Sequence, residues 1–143
     1  MRNLLVALLG SVLLAPVAAS AQDLHVFADT SRLVSIGGSL TEIIYALGEE
    51  DRLVARDQTA IYPEAVNALP DVGYMRQLAP EGVLSVSPTA LLVIEGSGPP
   101  EALEVLSHAG VEYQTIPESY SAEGVLTKVR SVGAALGVED KAT

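Results

Sequence analysis

The 143-residue sequence has no cysteine and no tryptophan, one phenylalanine and two histidines. Without cysteine there is no disulfide framework and no thiolate metal site, so a packed core must hold the fold. The two histidines are far apart. His25 falls in a polar lead-in. His108 ends a helical run beside Gly110, where the helix dipole favours a basic side chain. Neither sits in a cluster, and no paired His or Cys metal site is expected. Positive charge is scarce: 8 Lys and Arg face 18 Asp and Glu, for a formal net charge of −10. With no basic patch to neutralise phosphates, nucleic acid is excluded as a partner. Internal repeats and low-complexity tracts are absent as well.

Residues 4–17 form one apolar run, preceded by Met1-Arg2 and followed by Ala19-Ser20-Ala21 before Gln22. A short basic start, an apolar stretch and an A-x-A site read as a secretory signal peptide over residues 1–21. A membrane span needs roughly 20 apolar residues, so the run is too short for one. No cysteine follows it, so no lipid anchor is expected. Cleavage removes Arg2 and leaves an exported chain that is more acidic still. An exported chain without cysteine suits a bacterial periplasm.

From residue 32 onward, strand and helix signals alternate. Arg32-Leu33-Val34-Ser35-Ile36 reads as a first strand and Gly37-Gly38 as a turn. Ser39-Leu40-Thr41-Glu42 matches a capping box, which predicts a helix capped by the Ser39 hydroxyl. Ile43, Ile44, Ala46 and Leu47 give that helix its apolar face, and Gly48 ends it. Arg52-Leu53-Val54-Ala55 reads as a second strand, residues 57–62 as a polar loop and residues 63–69 as a short helix. Thr89-Ala90-Leu91-Leu92-Val93-Ile94 is an unbroken apolar run, the mark of a strand buried on both faces of a parallel sheet. Pro99-Pro100-Glu101 opens a helix with Leu103, Val105, Leu106 and Ala109 inward, and Gly110 closes it. Residues 111–116 read as a fourth strand. Ser121 caps a final helix whose inner positions are expected at Val125, Val129, Val132 and Leu136. The pattern predicts an α/β fold, a parallel sheet covered by helices, with binding loops at the strands' carboxyl ends. The residues after this helix carry no closing element, so the chain is read as stopping early, as a fragment or a truncated reading frame.

The rest of the chain is organised around Leu69-Pro70-Asp71-Val72-Gly73-Tyr74-Met75-Arg76 and the Ala79-Pro80-Glu81 helix start behind it. Proline in the first turn and an acid beside it favour a helix there. That helix is expected to run through Val83, Leu84 and Val86 and to stop before Pro88. Tyr74 and Arg76 then lie on a loop between two rigid elements, where binding residues concentrate. On composition alone Tyr74 reads first as a half-buried loop aromatic.

These blocks resemble a known family. Residues 32–48, Val54-Ala55-Arg56-Asp57, Leu69-Pro70-Asp71-Val72-Gly73-Tyr74-Met75-Arg76, and Glu81-Gly82-Val83-Leu84 with Pro88-Thr89 resemble the N-terminal lobe of periplasmic haem-binding proteins of bacterial ABC importers. More broadly they are similar to the helical-backbone binding proteins that also carry cobalamin and siderophores. The Thr41-Glu42-Ile43 block with Ala46-Leu47-Gly48 belongs to the wider family, and Val72 to Arg76 to its haem branch. The resemblance implies a Rossmann-like lobe of a bilobal binding protein over residues 22–121. It further implies that residues 122–143 start the helix joining the lobes, with the second lobe missing. It implies a monomer that carries haem to a permease and its ATPase for iron uptake, and no enzyme.

The resemblance implies that Tyr74 is an axial ligand of ferric haem. Ferric iron favours an anionic oxygen, and tyrosine is a recognised haem ligand. A phenol ordinarily titrates near 10, so a cation or the iron itself must help it ionise. Arg76 is placed to help, or to pair a haem propionate; as a solvated loop charge it is equally explained. Glu81 matches the acid that docks on permease arginines, and is equally a first-turn acid favoured by the macrodipole. Cobalamin or a ferric siderophore is the alternative cargo.

Tyr45 and Tyr62 are expected to pack, although Tyr62 lies on a candidate wall loop. Gly96-Ser97-Gly98 ahead of a helix is a weak anion-binding signal. A more remote reading takes Ser39 as the nucleophile of an exported GDSL-like esterase. Gly38 stands where such enzymes have aspartate, and no downstream Asp-x-x-His is present.

Overall fold

A computed structural model describes residues 24–143; the expected signal peptide lies outside the described residues. Four strands form one parallel sheet in the order β2-β1-β3-β4. They are β1 (Leu33–Ile36), β2 (Leu53–Arg56), β3 (Ala90–Ile94) and β4 (Glu112–Ile116). β1 pairs β3 in register from Leu33↔Ala90 to Ile36↔Val93, and β3 pairs β4 from Ala90↔Glu112 to Ile94↔Ile116. Every residue of β1 and β3 is buried. The apolar run of β3 is thus covered on both faces, as the sequence predicts, and so is β1 beside it. β2 and β4 lie at the edges and are only half buried.

Helices cover both faces. α1 (Gly38–Ala46) and α4 (Ala122–Leu136) lie on one side with Leu33, Leu92, Ile94 and Ile116. α2 (Pro80–Leu84) and α3 (Pro100–His108) lie on the other with Val34, Ile36, Leu91 and Val93. Alternate residues of one strand therefore feed opposite cores, as the two-residue period of a strand demands. The lead-in is not merely polar. Phe27 is buried in the first core, and its N–H donates to the Ala135 carbonyl at 3.0 Å. His25 Nε2 meets Glu112 Oε1 at 2.6 Å, and Gln114 Nε2 donates to the His25 carbonyl. Side-chain and backbone contacts from the lead-in thereby shield the open edge of β4.

Four expectations need correction. On α3, Val105 and Ala109, expected inward, are exposed, and Ala102 joins Leu103 and Leu106 in the core instead. The capping box does not form: α1 begins at Gly38, Gly37 is its N-cap, and Ser39 lies inside the first turn without capping it. α2 is a single short turn ending at Leu84 rather than running through Val86. Ser85 Oγ donates back to the Gly82 carbonyl at 2.7 Å, and Ser87 turns to φ 49 before Pro88. On α4, Val125 is exposed and Lys128 is buried in its place. Ser121 does cap α4, accepting from the Gly124 N–H at 3.0 Å. Gly48 does end α1: its N–H reaches the Tyr45 carbonyl, and that of Glu49 reaches Ile44.

α4 closes at Gly137, in the left-handed conformation, and the chain turns into a 3₁₀ segment, Glu139–Lys141. Lys141 Nζ lies 2.5 Å from Glu49 Oε1, and Arg52 Nε lies 2.6 Å from Glu49 Oε2. The Lys141 hydrogen bond, aided by the charges of Arg52 and Lys141, holds the Glu49 carboxyl below its ordinary range against the opposing effect of burial. A depressed folded-state value stabilises the fold above the ordinary carboxylate pKa and loses that contribution as pH falls through the folded value. Thermal melts from pH 6 downward are expected to show a loss of stability below about pH 4.5. That loss becomes shallower in Glu49→Gln; an unchanged slope in the variant would remove Glu49 from the account.

Candidate binding site

The strand order reverses between β1 and β3: β2 follows β1 on one side, and β3 and β4 extend on the other. Ligand crevices of open parallel sheets form at the carboxyl ends beside such a switch point. Gly37 sits there after β1. Its φ is +118, and a Cβ would lie 2.6 Å from Ile94 Cγ2 of β3, so only glycine fits. Asp57, fully buried after β2, accepts from the Gly37 N–H at 3.0 Å and from the Thr59 N–H at 3.1 Å. Thr59 Oγ1 accepts from the Gly38 N–H at 2.9 Å. These bonds serve the open amides of α1, which is why Ser39 is not needed as a cap.

Tyr74 is held in the same region by backbone bonds. The Gln58 N–H donates to the Gly73 carbonyl at 2.8 Å, and the Gly98 N–H donates to Met75 at 2.9 Å. The Leu78 N–H returns to the Gly98 carbonyl at 2.9 Å. The Tyr74 loop is therefore strapped to the loop after β2 on one side and the loop after β3 on the other. Asp71 Oδ1 accepts from the Gly73 N–H at 2.9 Å, and Asp71 Oδ2 pairs Arg56 Nη1 at 3.0 Å. Met75 takes the inward position and packs against both cores. Tyr74 is left 37% exposed on a fixed backbone. Arg76 is exposed two residues on, and Glu81 is exposed in the first turn of α2. The sequence thus placed Tyr74 and Arg76 correctly on one loop. Arg56, which it did not single out, is the arginine engaged by protein groups there.

Between α1, α4 and Tyr62 of the loop after β2 is an open cavity of about 390 Å³, within the usual range for small-molecule sites. Ser39, Glu42, Ile43, Tyr62, Val125 and Lys128 are among its walls. Tyr62 was expected to pack; it is 65% exposed and forms part of this wall. Tyr45 does pack against the first core, and burial pushes its phenol up. Ser97 and Gly98 spend their amides on the Ile94 and Met75 carbonyls, so that loop offers no anion cradle from them.

Lys128, in the cavity wall, and its partner Glu118 were not singled out by the sequence. Lys128 Nζ meets Glu118 Oε1 at 2.6 Å and donates to Ser39 Oγ at 3.3 Å. The available signal was the stripe Gly124, Lys128, Ser131, Ala135 at helical spacing, all buried. Ser39, engaged by Lys128, has no general base among these contacts. No group of three or more His, Cys, Asp or Glu capable of holding a metal occurs among the described residues. No helix among them is long and apolar enough to cross a membrane.

The periplasmic binding protein family profile matches residues 33–143. A periplasmic heme-binding protein from Pseudomonas aeruginosa superposes with a TM-score of 0.74 at 44% identity, covering 78% of this chain and 40% of that one. An uncharacterised ABC transporter substrate-binding lipoprotein of Bacillus subtilis, YvrC, is 33% identical over 126 residues, 87% of this chain and 40% of that protein. A vitamin B12-binding protein of Yersinia pestis is 32% identical over 80 residues, 56% of this chain and 29% of that protein. The chain spans at most 40% of the length of each of these three.

Proposed function

The chain belongs to the periplasmic binding protein family, and on that premise we propose that it is the iron-ligating lobe of a haem-binding protein serving an ABC importer. This family binds substrates for transport and is not a family of enzymes, which ends the esterase reading of Ser39. The observation that carries the haem reading is Tyr74, partly exposed on a doubly strapped loop at the carboxyl end of a parallel sheet. The likeness to a heme-binding structure at 44% identity supports it. Tyr74 supplies a phenolate oxygen to ferric iron. Arg76, two residues on and exposed, pairs a propionate or stabilises the phenolate. The strapping matters because a ligand atom held in place loses little freedom on binding.

The remaining parts of the proposal follow from the family. Residues 1–21 direct export to the periplasm and residues 22–121 form one lobe of two; α4, expected to leave toward the second lobe, instead packs on the core of this one. The exposed Glu81 docks on the permease, whose ATPase drives iron uptake. The protein acts as a monomer.

Cobalamin is the second reading, favoured by the vitamin B12-binding relative. Competition separates the two. Ferric haem is expected to bind with saturation, and a tenfold excess of cobalamin over haem is expected to displace little of it. Displacement of haem by equimolar cobalamin would transfer the proposal to the corrinoid.

A further inference from the structure

We propose that Lys128 is a positioning residue of the binding face: its buried ammonium closes a ring of tethers that joins the loops following all four strands to the Tyr74 loop. The consequence for haem rests on the function proposed above; the ring itself does not.

The ring can be followed link by link. The loops after β1 and β2 are joined through Asp57 and Thr59. The loop after β2 holds the Tyr74 loop through Gln58, and the Tyr74 loop holds the loop after β3 through Gly98. The Glu118 N–H, after β4, donates to Glu95 Oε2, after β3, at 2.9 Å. One gap is left, between the β4 loop and the start of α1. Lys128 fills it, with Glu118 Oε2 at 2.7 Å on one side and Ser39 Oγ at 3.3 Å on the other.

The burial of Lys128 calls for such a role. Its side chain is 8% exposed and that of Glu118 is 20% exposed. Desolvation of two charges offsets much of their attraction, so a buried pair contributes little net stability over an apolar pair of similar shape. What such a pair supplies is a fixed arrangement, since either group left alone is a costly buried charge. Here the arrangement fixed includes the wall of the cavity that Ser39, Lys128 and Tyr62 line.

The test is amide hydrogen exchange on the chain and on Lys128→Met, Glu118→Gln and the double variant. Local opening governs exchange in loops, so removal of one tether is expected to speed exchange about tenfold at residues 39–41 and 118–121. Exchange in β1 and β3 is expected to stay unchanged. The double variant is expected to add nothing beyond either single change. Lys128→Arg, which keeps a charge for Glu118, is expected to restore most of the protection. If Lys128→Met does not fold, Glu118→Gln and Lys128→Arg carry the comparison. Faster exchange confined to α4, or spread over the whole chain in step with a lowered Tm, would overturn the proposal.

Haem dissociation is the second readout. In Lys128→Met it is expected to quicken about tenfold, since rigid presentation acts mainly on off-rates, while the phenolate-to-iron charge-transfer band keeps its position. An unchanged off-rate in a variant whose loops do open would overturn the link between ring and ligand. If the parent chain binds no haem at all, the haem reading fails and the exchange results alone decide the ring.

Discussion

Tyr74→Phe is expected to weaken ferric haem binding by at least about a hundredfold, more than the loss usual for an outer-shell partner of a metal. The substitution removes one oxygen and keeps the ring. Tyr74 lies outside both apolar cores, and its loop is held by the backbone bonds of Gly73, Met75 and Leu78. The fold should therefore survive, and Tm should change little. What disappears is the anionic oxygen that a ferric centre favours. Optical titration reads both effects: the phenolate charge-transfer band is lost, and the Soret change saturates only at much higher haem. Arg76→Ala is expected to have a smaller effect, because an exposed charge acts on the phenolate or a propionate through solvent.

Gly37→Ala is expected to destabilise the fold by about 3 kcal/mol, from left-handed strain and overpacking together. Its φ of +118 is one that side chains rarely adopt, and the new Cβ would meet Ile94 Cγ2 at 2.6 Å and Ile94 Cβ at 2.8 Å. Ile94 is a buried residue of the central strand β3 and cannot swing away. For a domain of this size each kcal/mol lowers Tm by roughly 4 °C or more, so a fall of about 12 °C is expected. Gly48→Ala is the control: its φ is +71 but nothing lies within 4 Å of the added carbon. It should cost about 1 kcal/mol, the backbone term alone. Equal losses at the two positions would mean that contact with Ile94 is not the cause. Because Gly37 sits at the switch point, its replacement is also expected to displace the Asp57 bond and loosen the loop beside Tyr74.

The strands and helices were legible because their signals are local. The apolar runs at Leu33 and Ala90, the glycine after Leu47 and the serine before Ala122 each depend on neighbours in sequence. The failures have tertiary causes. Ser39 had the right neighbours for a cap, but Asp57 and Thr59, brought in by β2, reach the amides at the start of α1 first. Val125 had the right spacing for the core, but in the first turns of α4 Gly124 and Lys128 are buried instead, while Val132 and Leu136 are buried as expected. At the site, the loop carrying Tyr74 and Arg76 could be read from its turn residues and the proline behind it. The straps that fix it could not, because the Gln58–Gly73 and Gly98–Met75 bonds are backbone bonds and leave no mark on side-chain identity.

The central claim is that the Tyr74 oxygen bonds to haem iron, and resonance Raman spectroscopy of the ferric haem complex tests it most directly. The account predicts iron–phenolate vibrations in the parent chain and in Tyr62→Phe, and their absence in Tyr74→Phe. Their persistence in Tyr74→Phe, or their loss in Tyr62→Phe alone, would contradict it and move the iron to the cavity wall formed by Tyr62.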